Sequence, residues 1–119
     1  MKFLGAVDYR TIPYYYELCD LFVHPGKVPW GLIINDVMIA GKPIITSNLV
    51  GASYDLITKG ENGFIYRYSD VKGLSKALKI ILTNNLLRKK MGQKSKEKIS
   101  SFTYDQMSKA FITFINQIS

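Results

Sequence analysis

The chain has 119 residues, enough for one domain and too few for two lobes with a cleft between them. With 47% hydrophobic and 21% charged residues it has a globular rather than a disordered composition, and no apolar run approaches the ~20 residues of a membrane-spanning helix. The net charge of +7 favours anionic partners, and the single cysteine, Cys19, excludes an internal disulfide or a cysteine zinc cluster and suits a reducing, cytoplasmic setting.

The apolar start, Met1 to Val7, is cut by Asp8 before the ~7–15 residues that a signal peptide core needs, so no targeting segment is expected. Lys2 to Gly5 reads as a strand end. Pro13 to Leu18 reads as a short helix, since proline is tolerated in a first turn. Leu21 to His24 is a short strand stopped by Pro25-Gly26. Trp30 to Ala40 is predicted to be helical, with apolar Leu32, Ile33, Val37 and Ala40 and a stop at Gly41. Ile44 to Ser47 is a β-branched run and a strand. Gly51 to Ile57 reads as a loop and short helix, Gly60 to Gly63 as a turn, and Phe64 to Tyr66 as a strand.

The last third is predicted to be helical. Leu74, Ala77, Leu78, Ile81 and Leu82 follow the spacing of an amphipathic helix. Leu86 to Ile99 is a strongly basic second helix, and Tyr104 to Ile118 a third. Residues 1–68 thus read as βα units and 69–119 as helices, within one domain spanning 1–119. Alternation of strands and helices implies a parallel sheet with helices on both faces. Ligands of such open sheets sit at the carboxyl ends of strands. Two such ends stand out, Gly5 to Asp8 and His24 to Gly31, and the second leads into a helix N-terminus suited to phosphate.

The stretch Pro25-Gly26-Lys27-Val28-Pro29-Trp30-Gly31-Leu32-Ile33-Ile34-Asn35-Asp36-Val37-Met38-Ile39-Ala40-Gly41-Lys42-Pro43-Ile44-Ile45 resembles the donor-site motif of family 4 (group 1) glycosyltransferases. Phe3-Leu4-Gly5, the segment Tyr16 to Pro25, and Gly51, Ile57, Gly60, Asn62 and Gly63 match further family patterns in the right order. The resemblance covers nearly the whole chain. It implies a partial Rossmann-like, doubly wound α/β lobe, the C-terminal part of a GT-B fold. It also implies transfer of a sugar, with retention, from a UDP- or GDP-linked donor to an acceptor hydroxyl, without a metal or other cofactor.

Carried over by position, Gly26, Lys27, Trp30, Gly31, Leu32 and Ile33 would meet the donor phosphates and sugar. Asp36 would hold the ribose, and Leu4, Gly5 and Val7 would border the nucleobase. Two departures matter. The family spaces two glutamates E-x7-E, whereas Val28 stands at the first position and Asp36 at the second; the Pro25-to-Pro29 spacing is one residue short of the pattern, so the first glutamate is either replaced by Val28 or deleted. The family's earlier βα units and its N-terminal acceptor domain are also missing, so a partner chain or further domain is expected to complete the enzyme. An incomplete sheet would expose an edge before Lys2 and favour self-association. The rival readings are a non-catalytic or degenerate nucleotide-sugar-binding fragment, and a basic interaction domain.

The bland readings are plain. A lone histidine at a strand end, His24, is more often structural than catalytic. Lys27 faces either a phosphate or solvent. Arg88, Lys89, Lys90, Lys94, Lys96 and Lys98 form either a solvated helix face or a patch for an anionic membrane surface, which would make the protein peripheral at the cytoplasmic face. Nucleic acid is not expected, because the basic run lacks interleaved aromatics and any DNA-reading motif. No Walker loop or G-x-G-x-x-G fingerprint is present.

Overall fold

The structure, a computed structural model, describes residues 9–29, 31, 33–101, 109, 112–113 and 115–117. A 3-10 turn, Tyr9–Thr11, leads into α1 (Ile12–Leu18), followed by β1 (Phe22–His24), α2 (Ile33–Ile39), β2 (Ile44–Ser47), α3 (Ser53–Leu56), β3 (Gly63–Tyr66), α4 (Val71–Leu82) and α5 (Asn85–Ser100). The helix expected over Tyr104 to Ile118 lies mostly outside the described residues; those described there, 109, 112–113 and 115–117, are helical.

The strands form a parallel sheet in the order β1-β2-β3. Phe22 pairs with Ile44 and Ile44 with Gly63, so the three strands start level, and β1 ends one residue before the other two. Every residue of β2 is buried. Ile44 packs on one face with Tyr16, Ile34, Val37, Met38, Leu56, Ile57 and Ile99. Ile45 packs on the other with Tyr66, Ala77, Ile81 and Met91. Helices therefore cover both faces: α1, α2 and the end of α5 on one, α4 and the start of α5 on the other. Full burial of each β2 isoleucine contributes about 1.5–3 kcal/mol before chain entropy is counted.

Helix ends follow local chemistry that apolar spacing alone does not reveal. Asp70 accepts from the Gly73 N–H at 3.0 Å, so α4 starts three residues before Leu74. Asn84 does the same for Leu87 at 3.0 Å and starts α5. At the end of α2, Gly41 N–H reaches the Met38 carbonyl at 3.0 Å and Lys42 N–H the Val37 carbonyl at 3.4 Å, a Schellman closure that stops the helix as expected. The N-terminal expectation for α2 needs correction. Gly31 has φ +89°, outside the helical region, so the helix begins beyond it and not at Trp30. A Cβ at Gly31 would stand 3.1 Å from Val50 Cγ1 and 3.4 Å from Val28 Cγ2, so the chain turns tightly under these two valines.

Cys19 donates its thiol hydrogen to the Tyr16 carbonyl at 3.1 Å, and burial pushes the thiol pKa up.

Helices α2 and α5 approach so closely that a Cβ at Gly92 would lie 2.3 Å from the Gly41 carbonyl oxygen. That oxygen is backbone and cannot swing aside. Gly92→Ala is expected to destabilise the fold by about 1–3 kcal/mol; urea unfolding with an unchanged midpoint would contradict this packing.

Candidate functional site

Because the strands are parallel and in level register, their carboxyl ends open onto one edge. Three connections leave there: residues 25–31 after β1, 48–52 after β2 and 67–70 after β3. The first carries Gly26, Lys27 and Gly31 of the expected donor-site residues.

The three connections are laced together. The buried Ser47 hydroxyl donates to the Gly26 carbonyl at 2.5 Å and accepts from the Leu49 N–H at 3.2 Å. Gly26 N–H in turn donates to His24 Nδ1 at 3.3 Å. Val28 forms a parallel bridge with Val50. Its N–H donates to the Leu49 carbonyl at 3.1 Å, and its carbonyl accepts from Gly51 N–H at 3.0 Å. On the β3 side, Tyr68 N–H donates to Asn48 Oδ1 at 2.7 Å, Asn48 N–H donates to the Tyr66 carbonyl at 2.8 Å, and the Tyr54 hydroxyl donates to the Asn48 carbonyl at 2.6 Å. Lys27 closes the ring, its ammonium 5.9 Å from the centroid of Tyr68.

The structure brings Gly26, Lys27 and Gly31 into this loop cluster and sets Ile33 and Asp36 in the first turn of α2. Lys27 and Asp36 are exposed. Ile33 is partly buried, with its side chain packed against the core. Trp30, Leu32, Leu4, Gly5 and Val7 lie outside the described residues. Beside Asp36, the amide oxygen of buried Asn35 has no hydrogen-bond partner. Among the described residues no group of three or more His, Cys, Asp or Glu gathers as a metal site.

Val28 takes no part in polar chemistry. Its side chain is partly buried against the core beside α2, a peg where the resemblance expects a carboxylate. Asn62, from the turn motif, also serves structure. Its side chain accepts from Thr58 N–H at 2.8 Å and donates to the Leu56 carbonyl at 2.9 Å.

The basic residues do not form one face. Arg88 donates to the carbonyls of Ile81 (3.4 Å) and Leu82 (3.3 Å) and to Asn85 Oδ1, closing the end of α4. Lys98 reaches Thr58 Oγ1 at 2.5 Å, and Lys94 pairs with Glu97 at 3.6 Å. At about 100° per residue, Lys89 and Lys96 fall on one flank of α5 and Lys90, Lys94 and Lys98 on the other, with Glu97 between them. Of the two readings the sequence left open, a solvated helix face or a patch for an anionic surface, exposed Lys89, Lys90, Lys94 and Lys96 are compatible with either.

Sequence reasoning missed Ser47, Asn48 and Tyr68, whose roles are to fasten loops. The available signal was small polar residues directly after a buried strand. Ser47→Ala would strand the Gly26 carbonyl and the Leu49 N–H. The expected loss is about 1–3 kcal/mol of stability in a denaturant titration.

Residues 1–98 match the family model described as Glycosyl transferases group 1. The chain is 29% identical over 104 residues to spore coat protein SA of Bacillus subtilis, covering 85% of this chain and 27% of that protein. It is 25% identical over 101 residues to glycogen synthase of Mycobacterium tuberculosis, covering 84% and 24%. With phosphatidyl-myo-inositol mannosyltransferase of Mycobacterium leprae it shares 29% over 92 residues, covering 76% and 24%. The chain thus spans about a quarter of the length of these curated relatives. Among solved structures, sucrose-phosphate synthase from Thermosynechococcus elongatus superposes with TM-score 0.79 at 24% identity, over 98% of this chain and 30% of that one. Anabaena HepE in complex with UDP-glucose superposes with TM-score 0.73 at 24% identity, over 84% and 27%. The α/β fold, with its parallel sheet covered by helices, is therefore that of a GT-B glycosyltransferase portion, and the family match places this chain among the group 1 glycosyl transferases.

Proposed function

We propose that residues 1–119 form the donor-binding part of a C-terminal lobe that takes a UDP- or GDP-linked sugar for transfer, with retention, to an acceptor hydroxyl. An N-terminal acceptor domain or a partner chain supplies the other half of the cleft. The observation that carries this reading is the fastening of the Gly26–Gly31 segment onto the two neighbouring strand-end loops. A preorganised loop keeps its amides and Lys27 in place at no cost when charge develops.

The chemistry needs such an arrangement. As the glycosidic bond to the leaving diphosphate breaks, negative charge gathers on phosphate and the sugar becomes oxocarbenium-like. Gly26, Lys27, Gly31 and Ile33, with Trp30 and Leu32 of the same stretch, are assigned to the diphosphate and sugar. Asp36, exposed on the first turn of α2, is assigned to the ribose hydroxyls. Leu4, Gly5 and Val7 are assigned to the nucleobase. In support, the Anabaena neighbour was solved with UDP-glucose bound.

A second reading, a donor-binding lobe without transfer activity, is favoured by Val28. A partly buried valine supplies no charge to the sugar, and replacing it by glutamate would put an ionised group among apolar neighbours. The setting is taken as cytoplasmic; no helix among the described residues is long and apolar enough to cross a membrane. Contact with an anionic membrane would fall to Lys89, Lys90, Lys94 and Lys96, since Arg88 and Lys98 are engaged within the fold.

Calorimetric titration with UDP, GDP and UDP-glucose tests the donor reading. One nucleotide is expected to bind, and Asp36→Ala to weaken it roughly 10–100-fold, the scale of a lost charged hydrogen bond. Absence of binding at millimolar ligand, or an Asp36→Ala affinity equal to that of the parent, would overturn the assignment.

A further inference from the structure

The chain's one histidine sits at the last position of β1, where it does more than pack. Gly26 N–H donates to His24 Nδ1 at 3.3 Å. The spacing, side chain of residue i to backbone N–H of i+2, is that of the turn in which Asn or Asp holds its own chain two residues on. The ring also lies against the loop, since a Cβ at Gly26 would stand 3.3 Å from His24 Cε1.

This geometry needs a lone pair on Nδ1, so the neutral ring carries its proton on Nε2. A second proton would go to Nδ1. The doubly protonated ring is a donor at both nitrogens and turns an N–H toward the Gly26 N–H. The bond is then lost. Gly26 is the residue through which the donor loop leaves β1. Its carbonyl is held by the Ser47 hydroxyl, and the next anchor, Val28, is held by Leu49 and Gly51. Those other fastenings use hydroxyl and backbone groups that do not titrate. Among the described hydrogen bonds of the loop, the one at its entrance is the one whose acceptor a second ring proton would remove.

We propose that His24 is a positioning residue for the donor loop, bracing Gly26 while its ring is neutral and releasing it on protonation, so that donor affinity falls on acidification. The consequence for affinity rests on the donor-site reading above; the brace itself does not. Among the described residues, the titratable groups on surrounding segments are Lys27 in its own loop, Asp20 before β1, Asp36 on α2, Tyr54 and Asp55 on α3, and Arg67, Tyr68 and Asp70 after β3. Strand β2 and the 48–52 turn contribute none.

The test uses the full 15N-labelled chain between about pH 8 and 5, the span over which histidine ordinarily changes charge. Imidazole nitrogen shifts are expected to show the Nε2–H tautomer at the upper end, and the Gly26 amide to follow the ring's own midpoint while β2 amides stay unmoved. UDP-glucose is the ligand probe, because its diphosphate diester keeps a constant charge over this range. Its affinity for the parent is expected to fall roughly three- to tenfold on acidification, the scale of one lost hydrogen bond. His24→Asn, which can accept from Gly26 N–H without titrating, should hold the upper affinity across the range; His24→Leu should bind weakly throughout. A neutral ring protonated on Nδ1, or a His24→Asn variant with the parent's pH slope, would overturn the proposal. If UDP-glucose binds at no pH while Gly26 still tracks the ring, the donor reading falls and the brace stands.

Discussion

The structure depends on β2 being a parallel strand buried on both faces. A parallel neighbour cannot be reached by a tight turn, so the chain must cross over the sheet between strands. Ile44 and Ile45, neither of them exposed to solvent, point to opposite faces and each requires a helical cover. Helices α1 and α2 meet the first demand and α4 the second, with α5 reaching both. The level register of the three strands then places all their carboxyl ends along one edge. The candidate site is a consequence of this arrangement, because three loops have nowhere else to meet.

What distinguishes this site is how much of its polar capacity is used internally. Ser47, Asn48 and His24 all spend hydrogen bonds on backbone groups of the loops. Val28 makes an apolar contact with the core and two backbone bonds to the 48–52 turn. A carboxylate there would need solvent or a cationic ligand nearby, whereas valine packs against Val50 and Ile34 and stiffens the loop. Exposed Lys27 in the loop, Asp36 on α2, and Arg67 and Asp70 after β3 are charges around the fastened loop.

The basic helix illustrates why a charge run in sequence is not a surface. Helical geometry divides Arg88 to Lys98 between two flanks, and tertiary contacts divide it again. Arg88 satisfies carbonyls left open at the end of α4, a task that any helix end sets. Lys98 ties α5 to Thr58, in the connection between α3 and β3. The remaining charges face water.

By itself the sequence determined the order and type of the elements between Pro13 and Ile99. The β-branched run Ile44 to Ser47 is a strand because those side chains suit a buried pleat. The apolar spacing of Leu74 to Leu82 is a helix face. The motif from Pro25 to Ile45 and its flanks carried the family resemblance, and with it the fold class, because motifs record residues whose chemistry is needed in place. Only the tertiary structure decided how the loops are held. Gly31 lies outside the helix, close under Val28 and Val50. Ser47 reaches Gly26, 21 residues earlier in the chain, and the ring of His24 finds its acceptor role only when the loop folds back over the end of β1. Periodicity reports which side of an element is buried. It carries no information about which distant backbone group a buried hydroxyl or imidazole will meet, because that partner is set by chain crossings that local sequence does not encode.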